Sequence, residues 1–389
     1  MTAQRPHALI SRRGEDRIRA GHPWIYRSDV IDVEATAGDV VRVVNGQQRV
    51  IGEAFFSDQS QITLRMVTTG ETSFGERGWH DRIAAASAFR DSLKIDATAY
   101  RLVHGEADGL PSLIVDKYDD WLVLQALSQA TERHLPTVVE AMVELHQPKG
   151  ILARNDPRVR ALEGLPQEVK VLHGEVPAAI EVREGPVSYQ VDPYHGQKTG
   201  LFLDQRENRE ATARYARGKV LDCFSYNGGF ALYLAPQCES VLALDASADA
   251  VARIAANAER NNLAHVTARD ANVFDELRYF ERDGTKFDTI VLDPPAFAKN
   301  KGSVEKALAG YKDINLRALR ILNPGGVLVT CSCSYNVDES LFLQVLSDAA
   351  ADARAHVTIL EKRMQGRDHP VLLTVPETYY LKCMILRKR

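Results

Sequence analysis

The chain has 389 residues, 45% of them hydrophobic and 26% charged, with a formal net charge of -4. That length implies two or three domains at roughly 150 residues each, and the slightly acidic balance excludes nucleic-acid binding by overall charge, leaving only local basic patches. No apolar run reaches the roughly 18 residues of a membrane span, and the start, MTAQRPHALISRRGED, lacks the apolar stretch of a signal peptide, so the cytoplasm is the expected compartment.

Residues 1–75 read as a small, mostly β domain. DVVRVVN and QITLRMVT are short strand-like runs separated by turn signals. Arginines crowd its beginning: Arg5, Arg12, Arg13, Arg17, Arg19 and Arg27, against only Glu15 and Asp16. With Trp24 and Tyr26 beside them in GHPWIY, they suit RNA. A solvated charged face and a small β core would use the same residues. Arg12, Arg13, Arg17 and Trp24 are the RNA-binding candidates here.

Residues 76–190 read as a small α+β unit. GERGWHDRIAAASAFRDSL is an amphipathic helix; SLIVDKY and WLVLQAL form a hairpin about Asp119 and Asp120. ATERHLPTVVEAMVEL is a second helix, followed by the strand candidates GILARN, AAIEVRE and VSYQVD. The third domain, 191–389, changes to strand–helix alternation from about residue 200. Its strand candidates are GKVLDCF, SVLALDA, HVTARDA, FDTIVLD, GGVLVTCS and YYLKCMILRK. Repeated βα units imply an open parallel sheet with helices on both faces, an α/β fold.

The chemistry collects at the strand ends. VLDCFSYNGGFAL has Phe224 where a dinucleotide fingerprint would have its first glycine. What remains is Asp222, then Asn227, Gly228 and Gly229. The glycines allow a close approach to the backbone. An acid there repels phosphate and suits a cation, which points to S-adenosylmethionine, a sulfonium and ammonium with no phosphate. Asp245 follows 23 residues later, a spacing that suits ribose hydroxyls, with Ala246 beside it. Asp270, with Ala271, suits an adenine amino group, and Asp293 opens DPPAF. Each acid alone is an ordinary helix cap. Four at successive strand ends, on the edge where such sheets bind ligands, argue for one site.

These motifs resemble the class I S-adenosylmethionine-dependent methyltransferases, with their Rossmann-like domain. More narrowly, the chain resembles the bacterial ribosomal RNA large-subunit methyltransferase I family, which makes 5-methylcytosine. GHPWIY resembles that family's N-terminal PUA domain, HGEADGLPSLIVDKY its central domain, and GQKTGLFLDQREN the segment entering the cofactor site; GYKDIN, SCS and DHP…PE…YLK complete the likeness. The resemblance implies S-adenosylmethionine as cofactor, no metal, and 23S ribosomal RNA, free or in a precursor particle, as partner. It also implies that Gln197, Thr199 and Phe224 lie near the cofactor. The target nucleotide, and whether the chain forms a homodimer, stay open.

The same resemblance gives the tight pair Cys331 and Cys333 a meaning. The five cysteines, with Cys223, Cys238 and Cys383, make neither a disulfide framework nor a zinc set. Carbon 5 of cytosine is a poor nucleophile until a thiolate adds to carbon 6. Strand alternation puts Cys331 and Cys333 on one side, so pleat direction does not separate them. In RNA cytosine-5 methyltransferases the nucleophile lies seven residues past the glycine pair; counted from Gly326, that is Cys333. Cys331 is then a packing residue. Ala296 stands where many such enzymes carry a second cysteine, as in the single-cysteine type, so the base that removes the carbon 5 proton is open. Asp293 is expected to hydrogen-bond the cytosine. Lys299 and Lys312 are candidates for RNA phosphates, or solvated lysines. Two rivals remain: a guanine or adenine nitrogen methyltransferase that holds an amino group with DPPAF, and a non-catalytic RNA-binding assembly factor.

Overall fold

The computed structural model describes residues 6–298 and 301–389. The chain divides into two compact units. One runs to Ile180 and includes Val191–Gly200 and Arg367–Thr378; the other comprises Glu181–Gln190, Leu201–Gly366 and Tyr379–Arg389.

The first unit holds two sheets. One has six strands in the spatial order Trp24–Tyr26, Ile62–Met66, Val50–Phe56, Val40–Val44, His7–Ile10 and Val30–Glu34. Its β-branched runs bury alternate residues, and Ile10, Ile25, Val41, Val43 and Leu64 fill the core. The other sheet has the order Glu168–Gly174, Gly150–Asn155, Trp121–Ala126, Leu113–Tyr118 and Ala99–His104. Asp119, at φ +56°, makes the tight turn of the expected hairpin. The strands Ala99–His104 and Glu168–Gly174 were not foreseen. Both lie at sheet edges, and the latter is largely exposed, so it lacks the apolar run that marks a strand in sequence. Phe55 of the first sheet stacks on Trp79 at 4.9 Å within the second core.

The second unit is a seven-stranded sheet flanked by helices. Its strands are β1 (Lys219–Cys223), β2 (Ser240–Asp245), β3 (Val266–Asp270), β4 (Phe287–Leu292), β5 (Leu322–Ser332), β6 (Val357–Arg363) and β7 (Lys382–Lys388). The helices are α1 (Arg206–Ala213), α2 (Gly229–Leu234), α3 (Ala248–Arg260), α4 (Val273–Asp283), α5 (Val304–Ile321) and α6 (Glu339–Asp352). The spatial order is β3-β2-β1-β4-β5-β7-β6. Strands β1 to β5 pair in parallel, while β7 is antiparallel to both β5 and β6. The parallel sheet expected from the alternation gains an antiparallel strand at this edge, and β6 was missed, because its residues are half-exposed and carry charges between the apolar ones. Strand order reverses between β1 and β4, which opens a crevice at their carboxyl ends. Leu221, Leu244, Ile290, Leu292, Leu328 and Phe342 pack beneath it.

Candidate active site

Strand β1 ends at Cys223, and the chain turns into α2 through a loop with three left-handed residues: Phe224 (φ +64°), Tyr226 (+51°) and Gly228 (+80°). Each non-glycine residue held there costs about 1–2 kcal/mol, so the surroundings must impose the conformation. Asp222 does so from below. Its Oδ2 accepts the Ser225 hydroxyl at 2.5 Å and the Ala231 N–H at 2.9 Å. Asp245 does so from the side, its Oδ2 accepting the Tyr226 N–H at 2.9 Å. Arg253 donates to Asn227 Oδ1 at 2.9 Å. Gly229 is required sterically, since a Cβ there would come within 2.7 Å of the Arg209 guanidinium. Arg209 is buried against Glu184 at 2.7 Å; burial opposes its charge, and Glu184 more than offsets that. Burial pushes the Asp222 carboxyl up to about 7. Its contacts are with the loop, so it holds the cradle in shape.

Strands β2 and β3 end in register at Asp245 and Asp270. Asp245 also accepts the Ser247 N–H at 3.1 Å and stays half-exposed; Ala246 and Asp270 are exposed, and Ala271 is half-buried. An aromatic wall stands beside these ends. Phe224 lies 6.5 Å from Phe274 and 6.4 Å from Phe297, which are 5.9 Å apart. All three are partly buried. Phe274 and Phe297 were not foreseen as site residues, although they follow the strand-end acids in ANVF and DPPAF.

Asp293 follows β4. Its Oδ1 accepts from Gln205 Nε2 at 2.9 Å, and Gln205 Oε1 accepts from Asn208 at 2.6 Å. Both amides are buried, so the carboxylate is oriented from within. The two cysteines differ sharply. Cys331 lies inside β5, opposite Cys383, wholly buried; burial first, and then the Cys383 thiol, push its thiol well up. Cys333 lies one residue beyond the strand, half-buried, with Sγ 3.8 Å from the carbonyl oxygen of Pro294. The flanking serines fix its turn. Ser332 Oγ donates to the Tyr311 hydroxyl at 3.1 Å, Ser334 Oγ lies 3.0 Å from the same hydroxyl, and the Ala298 N–H donates to Ser334 Oγ at 3.1 Å.

The remaining candidates fall elsewhere. Gln197 and Thr199 belong to the first unit, where the Thr199 hydroxyl donates to Asp116 at 2.5 Å and meets the Tyr118 hydroxyl at 2.9 Å. The arginine patch is largely neutralised: Arg13 and Arg17 both reach Asp29 at 2.5 Å, and Arg12 pairs with Asp16 at 3.0 Å. Trp24 donates to Glu106 at 3.1 Å. Lys312 pairs with Asp352 at 2.8 Å, and Lys299 lies outside the described residues.

The strand order, the single antiparallel strand and the glycine-bearing loop between strand-end acids define a class I S-adenosylmethionine-dependent methyltransferase. Residues 159–376 match the S-adenosylmethionine-dependent methyltransferase family, and residues 9–69 match the PUA-like domain. The chain belongs to the ribosomal RNA large subunit methyltransferase I family. It is 41% identical over 381 residues to the protein of that name from Aliivibrio fischeri (strain MJ11), covering 95% of this chain and 96% of the relative. It is 39% identical over 394 residues to the one from Vibrio cholerae serotype O1 (strain ATCC 39315 / El Tor Inaba N16961), covering 97% and 99%. Among solved structures, one from Streptococcus mutans assigned to the SAM-dependent methyltransferases shares the fold at TM-score 0.82, with 20% identity over 97% of this chain and 99% of that one. A methyltransferase structure in complex with SAH superposes at TM-score 0.84, with 22% identity and the same coverage.

The residues present fit the cofactor. The glycine-bearing loop closes over Asp222, Asp245 offers a half-exposed carboxylate to hydroxyls, and the aromatic wall offers an apolar face to a purine.

Proposed function

We propose that this chain methylates carbon 5 of a cytosine in 23S ribosomal RNA through a covalent adduct on Cys333. The large-subunit target rests on the names of its relatives. The chemistry rests on one observation above all: of two neighbouring cysteines, one is sealed in the sheet, and the other, half-buried, sits against the Asp293-Pro294-Pro295 turn.

The Cys333 thiolate adds to carbon 6 of the flipped base, forming the S–C6 bond and moving the C5=C6 pair onto carbon 5. S-adenosylmethionine supplies the electrophilic methyl of a sulfonium, which carbon 5 takes. Loss of the carbon 5 proton returns that C–H pair to C5=C6 and expels the thiolate. Asp293, oriented by Gln205, holds the cytosine ring or amino group. In this reading Asp245 binds the ribose, and Asp270 and Ala271 edge the adenine. The N-terminal PUA-like residues and Lys312 meet RNA, free or in a precursor particle.

Mass mapping of nucleosides in 23S ribosomal RNA, from cells with and without the protein, tests this. A single 5-methylcytosine disappears with the protein. Loss of an N-methylpurine in its place overturns the carbon 5 assignment.

A further inference from the structure

Lys382 opens β7 directly opposite Ser332, the last residue of β5. It is 1% exposed. Its Nζ donates to the Ser334 carbonyl at 2.8 Å and the Tyr380 carbonyl at 3.0 Å, which uses two of an ammonium's three donors. Among the described residues no carboxylate forms an ion pair with it, although buried lysines are almost never left unpaired. Burial lowers its ammonium to about 8, and the groups that favour its charge are Cys333 first and Asp338 second.

We propose that the buried ammonium of Lys382 is the positive charge that stabilises the thiolate of Cys333, a positioning role in the proposed adduct chemistry. This rests on the reading of Cys333 as nucleophile. Lys382 is placed by the residues on either side of Cys333. Pairing Ser332 with Lys382 brings the lysine to the strand end just before Cys333, and the carbonyl of Ser334, just after it, holds the ammonium there. The thiol proton leaves to solvent before the base arrives. Lys382 keeps its own protons throughout, so it acts by charge and does not carry a proton in either direction. The thiolate pair then forms the S–C6 bond and is returned on elimination.

Among the described residues, the other ionisable groups around Cys333 do not supply this charge. Tyr311, from α5, is neutral and is raised further by burial. Asp338, at the start of α6, is acidic and caps that helix by accepting the Leu341 N–H at 2.8 Å. Glu339 is committed to Lys362 at 2.9 Å and to the Tyr379 hydroxyl at 3.0 Å. Asp293 has the wrong sign. A merely structural lysine, tying two carbonyls together, would leave the thiol unaffected.

The test reads the thiol without RNA or cofactor. Alkylation of Cys333 by iodoacetamide is followed across pH 6 to 10 by mass spectrometry of its peptide, in wild-type protein and in Lys382→Met. The midpoint moves up by about one pH unit in the variant, with alkylation about tenfold slower at neutral pH; Lys382→Arg restores part of it. An unchanged midpoint in folded Lys382→Met overturns the proposal. Should that variant not fold, the wild-type protein decides. The ratio of the iodoacetate rate to the iodoacetamide rate should be higher at Cys333 than at 2-mercaptoethanol, because a nearby cation favours the anionic reagent, and an equal or smaller ratio overturns the proposal. Methyl transfer by Cys333→Ala separates the two readings. If that variant is active, the nucleophile assignment falls and the role of Lys382 with it. If it is inactive while the midpoint ignores Lys382, only the lysine assignment falls.

Discussion

Asp245 Oδ2 accepts the backbone N–H of Tyr226 at 2.9 Å, so the acid at the end of β2 shapes the loop at the end of β1. In the proposed reading one carboxylate serves two purposes: it orders a left-handed residue and offers its half-exposed edge to hydroxyls. Asp245→Ala loses both. A hydrogen bond to a charged group is worth about 1.5–3 kcal/mol, so the affinity for S-adenosylmethionine should fall tenfold or more. Calorimetric titration checks this, and undiminished affinity would count against the ribose assignment.

Asp222 makes folding pH-dependent. Burial raises its folded-state value to about 7, whereas the unfolded chain releases that proton near pH 4. Between those limits the folded protein binds the extra proton, so stability is greatest at the acidic end. It falls as pH rises, with a slope approaching about 1.4 kcal/mol per pH unit, and levels off above pH 7. Asp222→Asn lacks this component. Thermal melts from pH 5 to 8 without cofactor should therefore show the wild-type protein losing ground to the variant as pH rises. A constant difference between the two would show that Asp222 is ionised throughout.

Glu163 is a buried anchor of the first unit. It pairs with Arg65 at 2.7 Å and accepts the Ser57 hydroxyl at 2.6 Å. Glu163→Ala leaves the Arg65 charge buried and unpaired, which costs about 3–5 kcal/mol. Urea unfolding should show that loss. The double substitution Arg65→Met with Glu163→Leu should recover much of it, because no charge is then stranded.

The inner parallel strands were legible because a strand covered on both faces reads as a short apolar run, as VLV of β5 does. The edge strand β6 has no such run. The acids were legible by position, since strand ends announce themselves, but their duties were not. That Asp222 points into its own loop depends on Ser225 and Ala231 folding back over it. Likewise the arginines of the N-terminal region look like an open basic patch until Asp29, 12 and 16 residues beyond Arg17 and Arg13, folds against both. The distinction between Cys331 and Cys333 was drawn from spacing. In the structure the two differ in burial because of where β5 stops and where Cys383 pairs, which depends on a strand some fifty residues further on.

Those two thiols carry the sharpest prediction. Cys333→Ala should abolish methyl transfer while fold and cofactor affinity persist, because only the proposed nucleophile is lost. Cys331→Ala deletes a small buried group against Cys383 and should keep substantial activity, at a stability cost of about 1 kcal/mol. Substrate RNA carrying 5-fluorocytosine at the target should form an adduct that survives denaturation, since fluorine does not leave carbon 5 as a proton does. The adduct should contain the transferred methyl and map to Cys333. Mapping to Cys331 would move the nucleophile two residues back into the sheet, against the burial that disfavours its thiolate. Near wild-type rates from both alanine variants would end the covalent mechanism and bring nitrogen methylation forward. Trapping on the Cys331→Ala background assigns the sulfur without ambiguity, because Cys333 is then the single thiol left in that strand end.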